Sequence, residues 1–340
     1  MSNERDLALP PRLSVIVPCH DSSAVIGGQL EALSRQVDAP AFEVICVDNR
    51  SSDDLAAAVS PWTSRLRVQV VTADLLANPG YARNVGVAHA RADKLAFCDS
   101  DDHVAPTWVR DAARALDAAA IVNGGATPVA DADFSHGPDH LDDLLDEQAL
   151  ATRPVDVALP AAPVPYPILL GGSCAVRRAV YLELGGYDVA MPYGVEDNDL
   201  ALRAQQAGHE IARSSGMRLA YRSRPEGTRT AADEFRTGLR HQLLAARHHL
   251  VGRSPSLPRR WWWGLPRCLG AAVRMLVRPG SRDWRGWRHR TAFQWGLLVG
   301  RARFGWFGRP PRPRLGVGLS TQAEGNDRPA PAPAQGPVPD

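Results

Sequence analysis

Several short stretches of this chain hold acids at spacings suited to chemistry. Asp99-Ser100-Asp101-Asp102 follows the apolar run Lys94–Cys98, and its side chains repel one another unless a cation or hydrogen bonds compensate. Hard oxygen donors of this kind suit Mg²⁺ or Mn²⁺. Two other apolar runs also end in polar loops, Pro18-Cys-His-Asp21 and Val47-Asp48-Asn49 with Asp53 and Asp54 beyond. A further group, Glu196-Asp197-Asn198-Asp199, opens a helical pattern. A carboxylate there can take a proton from an attacking hydroxyl, although acids at a helix start also serve simply to complement the dipole. A lone strand-end Asp is commonly a turn or cap former, and an acidic turn can be merely solvated. Three such loops in succession suit a charged ligand better than three unrelated turns.

The elements that must position these residues alternate. Residues 13–17, 42–47, 66–71 and 94–99 read as strands. Between them, Ile26, Leu30, Leu33 and Val37 mark one helix, 53–59 a short one, and 80–90 another, with a fourth beginning near Pro106. This order predicts an α/β fold with a mostly parallel sheet covered on both faces. Ligands of such sheets bind beyond the carboxyl ends of the strands, where the acidic loops lie. Residues 131–165 read as a surface loop, 166–176 as a strand, 178–184 as a helix closed by Gly185-Gly186, and 197–207 as a helix stopped by Gly208.

The motifs LSVIVPCHDSS, FEVICVDNRSSDD, NPGYARNVGVAHA and LAFCDSDD, in that order, resemble the nucleotide-binding half of glycosyltransferase family 2. GGSCAVRRAVYLELGGYD and GVEDNDLALRAQQAG resemble its acceptor half. The resemblance covers roughly residues 12–250 and implies a GT-A fold and inverting transfer from a nucleotide-diphosphate sugar. It places Pro18 in the first donor loop, Asp48 against the base or ribose, and Arg83 near the nucleotide. It makes Asp99, Ser100 and Asp101 the donor loop, with Asp101 and Asp99 holding Mn²⁺ or Mg²⁺. Asp197 becomes the catalytic base and Glu196 its neighbour. The chain departs from the family's pattern at Asn49, at Ser173, and in 219–227, where Tyr221, Arg222 and Arg224 stand in place of a metal-binding His. Arg222 and Arg224 then either hold the diphosphate or are surface charge.

Charge divides the chain. The net is −10 over residues 1–252, +14 over 253–314 and −2 over 315–340. The basic part carries seven of the nine tryptophans. Leu269, Ala272, Val273, Leu276 and Val277 mark an apolar helical face, and Phe293, Leu297 and Phe304 lie near one stripe of a second helix. Arg with Trp and Leu is the pattern of an interfacial helix on an anionic membrane; helices packed on the acidic body would also fit. Nucleic acid is not expected, because no binding motif accompanies the charge.

The expected organisation is a flexible 1–11, a catalytic domain over 12–252 (nucleotide-sugar half 12–125, acceptor half 165–252), a basic Trp-rich helical segment over 253–314, and a disordered tail over 315–340. The five cysteines form no CxxC pair, and the N-terminus has no signal-peptide pattern. A cytoplasmic setting is expected, peripheral to the inner face of the membrane, with a saccharide or lipid-linked acceptor. A nucleotidyltransferase is the rival enzyme class, but it would carry a basic Gly-rich loop after the first strand, and PCHDSSAVIGG has no basic residue. A non-catalytic scaffold would not need Asp48, Asp99, Asp101 and Asp197.

Overall fold

The computed structural model describes residues 9–151, 169–223, 228–252, 260–277 and 283–320. Eight strands form one sheet in the order β3-β2-β1-β4-β7-β6-β8-β5. They are β1 (Leu13–Cys19), β2 (Phe42–Asp48), β3 (Val68–Thr72), β4 (Lys94–Cys98), β5 (His103–Val104), β6 (Ile121–Ala130), β7 (Ser173–Arg177) and β8 (Ile211–Ser223). β1 lies between β2 and β4, parallel to each, and β2 is parallel to β3. β7 runs antiparallel to β4 and β6, while β6 and β8 are parallel.

The strands are near-continuous apolar runs because they are covered on both faces. Val15, Val17, Val44 and Cys46 face one buried cluster with helix α1 (Ile26–Ser34) and helix α4 (Trp108–Ala118). Ile16, Ile45, Val47 and Phe97 face another with helix α3 (Pro79–His89). A short helix α2 (Leu55–Val59), capped by Asp54, follows β2. Cys19, Cys46, Cys98 and Cys174 are buried and free, as small apolar residues.

Several sequence expectations change. β1 does not stop at Pro18 but runs to Cys19, with Pro18 opposite Val47. The loop expected over 131–165 holds a 3₁₀ turn (Asp131–His136) and helix α5 (Pro138–Ala151). Leu141 and Leu145, one turn apart, bury against Val129, Ala105 and Ala220; the surrounding acids hid that apolar stripe. Residues 152–168 lie outside the described residues. β6 and most of β8 had no reading in the sequence, because Gly124, Gly125 and the polar residues 213–216 interrupt their apolar pattern.

Helix α6 (Arg178–Glu183) leads to helix α7 (Glu196–Gln206), and helix α8 (Ala231–Arg247) starts with a Thr230–Asp233 capping box. In the basic segment, helix α9 (Gly264–Val277) is followed by helix α10 (Trp284–Arg301) and a π-helical end (Ala302–Trp306). α10 lies hard against α8: a Cβ on Gly238 or Gly296 would collide with the carbonyl oxygen of Phe293 or Phe235 on the facing helix. Leu297 joins Leu202, Leu244 and Leu250 in a buried cluster that ties α10 to α7 and α8.

Residues 315–320, expected to belong to a disordered tail, are held in place, and 321–340 lie outside the described residues. Val317 and Leu319 pack against the main core. The Gly316 amide donates to the Gly185 carbonyl at 2.8 Å, and the Arg314 amide to Asp188 Oδ1 at 2.8 Å. A single turn of glycine-rich chain, GVGL, was enough to anchor it.

Candidate active site

The sheet order reverses at β1, between β2 and β4, and the acidic loops lie at the ends of these strands. That is the switch point where α/β sheets bind ligands.

Asp48 ends β2, and its Oδ1 accepts from the Ser51 amide at 3.0 Å. Asn49 is buried and spans the strand ends. Its Nδ2 donates to the carbonyls of Ala73 (2.6 Å) and Leu76 (2.7 Å), and its Oδ1 accepts from the Asn78 amide at 2.9 Å. An Asp could not make the two donations. Asn49 therefore shapes the loop that leads into α3, a role the sequence did not show.

α3 begins at an Asn78 side-chain cap and delivers Arg83. Arg83 is 3% exposed. Its Nη2 lies 2.8 Å from Asp99 Oδ1 and its Nη1 lies 3.5 Å from Glu196 Oε1, while the guanidinium sits over Tyr187, 5.3 Å from the ring centroid. Burial opposes its charge, but Tyr187, Asp99 and Glu196 outweigh this and raise its pKa. One cation thus joins the acid after β4 to the acid that opens α7.

Within residues 99–102 the four side chains go separate ways. Asp99 pairs with Arg83. Ser100 Oγ is 2.9 Å from Ser22 Oγ, which ties the loop to the end of β1. Asp101 is exposed. Asp102 is buried, accepts from the Arg222 amide at 3.0 Å through Oδ1, and leaves Oδ2 buried with no hydrogen-bond partner. Burial, then Asp99 and Asp101, push Asp102 up to about 8. An orphaned carboxylate oxygen beside two further acids is a site short of positive charge, and a divalent cation fits that deficit. Asp102 is the carboxylate that sequence reasoning passed over, and the adjacent acids in DSDD were its only signal.

Gly171 and Gly172 close the site from the β7 side. A Cβ on Gly172 would crowd Asp99 Oδ2 at 2.6 Å, and one on Gly171 would meet Arg83 Nη2 at 3.3 Å. Ser173 is fully buried and accepts from Trp108 Nε1 at 3.4 Å, so it supports the loop from beneath.

At the start of α7, Glu196 Oε2 accepts from the amides of Gly194 (2.5 Å) and Val195 (3.0 Å). Asp197 accepts from the amides of Asn198 (2.7 Å) and Gly171 (3.4 Å). Burial, then the charge of Glu196, push Asp197 up to about 6. Asp199 faces away and is structural: it accepts from Arg203 Nε and His248 Nε2, each at 2.8 Å.

Arg222 is committed to the loop rather than held free. Its Nε donates to the Asp101 carbonyl at 2.9 Å and its Nη1 to Asp131 at 2.7 Å, while it stacks 3.9 Å from the Phe134 centroid. Arg224 lies outside the described residues.

A mostly parallel sheet covered by helices, with acidic loops gathered at its switch point, is the arrangement of the GT-A fold of glycosyltransferases. The profile of glycosyl transferase family 2 matches residues 14–181, and that described as the N-terminal domain of galactosyltransferase matches 153–225. The chain belongs to glycosyltransferase family 2. It is 34% identical over 109 residues to the poly(ribitol-phosphate) β-N-acetylglucosaminyltransferase TarS of Staphylococcus aureus, covering 31% of this chain and 19% of that protein. It is 36% identical over 102 residues to validoxylamine A glucosyltransferase of Streptomyces hygroscopicus, covering 29% and 22% respectively. It thus spans about a fifth of the length of these relatives. A mannosyltransferase of Pyrobaculum calidifontis, solved with GDP-mannose and Mn²⁺, shares the fold at TM-score 0.58 and 19% identity, over 89% of this chain and 92% of that one.

Proposed function

We propose that this protein is a metal-dependent inverting glycosyltransferase that moves a sugar from a nucleotide-diphosphate sugar to an acceptor hydroxyl. The observation that carries the reading is Arg83, which holds Asp99 of the donor half and Glu196 of the acceptor half in one buried cluster. Pro18 and Asp48 would border the nucleotide, and Asp101 and Asp99, with the buried Asp102 beside them, would hold the cation. When bound, Mn²⁺ or Mg²⁺ supplies neutralisation of the leaving diphosphate.

The chain's own residues do the rest. The acceptor oxygen attacks the anomeric carbon from the face opposite the diphosphate. The new C–O bond forms as the bond to the phosphate oxygen breaks, which inverts the centre. The hydroxyl proton passes to a carboxylate oxygen of Asp197. Burial beside Glu196 raises the pKa of Asp197, which strengthens it as a base. Glu196, held by two amides, keeps the helix start and Arg83 in register.

The acceptor reading is a cell-envelope or extracellular polysaccharide, or a lipid-linked precursor of one. Its support is the names of relatives, including TarS and the succinoglycan biosynthesis protein ExoO of Rhizobium meliloti. The protein works as a peripheral protein at an anionic membrane surface. Its support is α9, where Leu269, Val273, Leu276 and Val277 are 69%, 52%, 66% and 74% exposed on one helix face. No helix among the described residues is long and apolar enough to cross a membrane.

The test is release of nucleoside diphosphate from a panel of UDP- and GDP-sugars, with Mn²⁺, with Mg²⁺ and with EDTA. Turnover of at least one donor that stops in EDTA is expected. Failure of every donor to bind in the presence of Mn²⁺ overturns the reading.

A further inference from the structure

Beside the catalytic helix lies a second cavity, of about 530 Å³, that the donor site does not use. It forms where the chain before α7 meets α8, the π-helical end and the segment at Arg309–Pro311. Three arginines line it: Arg240, Arg303 and Arg309. Elsewhere in the body arginines find acids, as Arg65 does with Glu31, Arg203 with Asp199 and Arg247 with Asp188. These three make no ion pair among the described residues. Arg240 lies over Tyr193, 5.9 Å from the ring centroid, and Arg303 over Phe304 at 5.3 Å. Leu243 and Phe304 make the wall apolar, which lowers the local dielectric and strengthens any charge pairing inside.

The cavity adjoins the chemistry. Phe304 and Leu243 pack on Met191 and Val195, which lead directly into Glu196 and Asp197. A Cβ on Gly194 would sit 3.4 Å from Arg240 Nη1, and the Gly194 amide donates to Glu196. Arg240 therefore borders the backbone at Gly194, two residues before Glu196.

We propose that this cavity binds a phosphate group carried by the acceptor. The proposal rests on the transferase reading and names the acceptor's chemistry: a sugar or polyol phosphate whose free hydroxyl reaches Asp197 while its phosphate sits among Arg240, Arg303 and Arg309. Guanidinium forks suit phosphate oxygens, and a volume of this size takes a phosphorylated monosaccharide.

The test uses the full chain saturated with its nucleoside diphosphate and Mn²⁺, so that the donor's phosphate site is filled. Glucose 6-phosphate, sn-glycerol 3-phosphate and unphosphorylated glucose are titrated by calorimetry. The phosphates bind and glucose does not. In the Arg240→Gln, Arg303→Gln double variant phosphate affinity falls by about tenfold or more, while Arg303→Lys, which keeps the charge but loses the fork, falls less than Arg303→Gln. Phosphates that bind no better than glucose, or a double variant that binds them as the native chain does, overturn the proposal. Nucleoside diphosphate affinity is recorded first. Its absence overturns the transferase reading, whereas its presence with no phosphate preference overturns this cavity's role alone. Vesicles of phosphatidylglycerol form a second arm. The double variant is expected to keep vesicle binding, and losing it with phosphate affinity unchanged assigns the arginines to lipid and overturns the proposal.

Discussion

Asn84 donates its side-chain amide to the carbonyl of Val317 at 2.9 Å, and so ties the helix of Arg83 to a stretch of chain 233 residues later. The same amide group reaches the Tyr187 carbonyl at 2.9 Å, and its Oδ1 accepts from Tyr181 Oη (2.7 Å) and the Tyr187 amide (2.9 Å). Asn84 is fully buried. The segment after the basic helices thus closes back on α3, next to Arg83, which joins Asp99 to Glu196.

Asn84→Ala should therefore act on both stability and donor binding. It leaves buried groups on Tyr181, Tyr187 and Val317 without partners, at about 1–3 kcal/mol for each group left unsatisfied. Urea denaturation should show a loss of about 2 kcal/mol or more, and the KM for donor should rise as α3 loses its anchor. A variant with native stability would show that the link carries no weight.

The acidic loop makes a prediction about pH. Asp102 has its pKa raised from 3.8 to about 8, so between these values the folded state holds a proton that the unfolded state has released. Stability without metal must then fall as pH rises from 4 to 8. Asp197, raised to about 6, adds to the same slope over the lower part of that range. Asp102→Asn removes the larger contribution. In EDTA its urea midpoint should vary less between pH 5 and pH 8, and at pH 8 the variant should be the more stable protein. Asp101→Ala removes one of the charges that raise Asp102, so it should reduce this slope only in part because burial and Asp99 remain, but it should abolish turnover and weaken nucleoside diphosphate binding in Mn²⁺. An unaltered metal dependence of binding in Asp101→Ala would remove that residue from the cation site.

Asp197 is expected to set the acid limb of the rate. As a base it must be ionised, so kcat/KM should rise with pH through about 6, the value to which burial beside Glu196 lifts it. Asp197→Asn should keep donor affinity and lose kcat by roughly 10² or more, the scale of a positioned general base. Loss of donor binding with kcat intact would move Asp197 to the donor site and leave Glu196 as the candidate base.

Much of this site was legible because strand-end acids stand next to the strands that carry them. β1, β2 and β4 are near-continuous apolar runs, broken only by Ser14, Glu43 and the terminal Asp48 and Lys94, so their pattern alone places the loops after them at one edge of the sheet. The long-range partners were not legible. Nothing around Asn49 announces that it bridges Ala73, Leu76 and Asn78, and nothing in GVGL says that Val317 meets Asn84. Arg83 resembles a residue near the nucleotide, yet nothing in the sequence shows its reach to Glu196, 113 residues later. α5 was missed because its leucines are outnumbered by acids, and β6 because glycines break its pattern where the sheet is pressed against Ser173.

The last prediction concerns the basic helices, which divide the two tasks the sequence left open. α10 is a packing helix: Leu297 is 1% exposed and Gly296 lets its backbone touch that of α8. α9 turns its apolar stripe outward, and only Met275 is buried along it. Trp262 and Trp263, 49% and 44% exposed, stand just before its start, with Arg267 and Arg274 on its polar side. Such a helix gains by lying in the headgroup boundary, where each Leu or Val removes apolar surface from water and each Arg adds about 1 kcal/mol against anionic lipid. The full chain should co-sediment with phosphatidylglycerol vesicles at low salt, less so at high salt, and poorly with neutral lipid, because salt screens the arginines and not the apolar stripe. Leu276→Ser with Val277→Ser should reduce binding at every salt concentration and leave folding unchanged, since both side chains are already in solvent. Arg267→Gln with Arg274→Gln should instead flatten the salt dependence. If the chain fails to bind anionic vesicles at low salt, α9 belongs to a protein contact, and the assignment to a membrane surface falls while the transferase site stands.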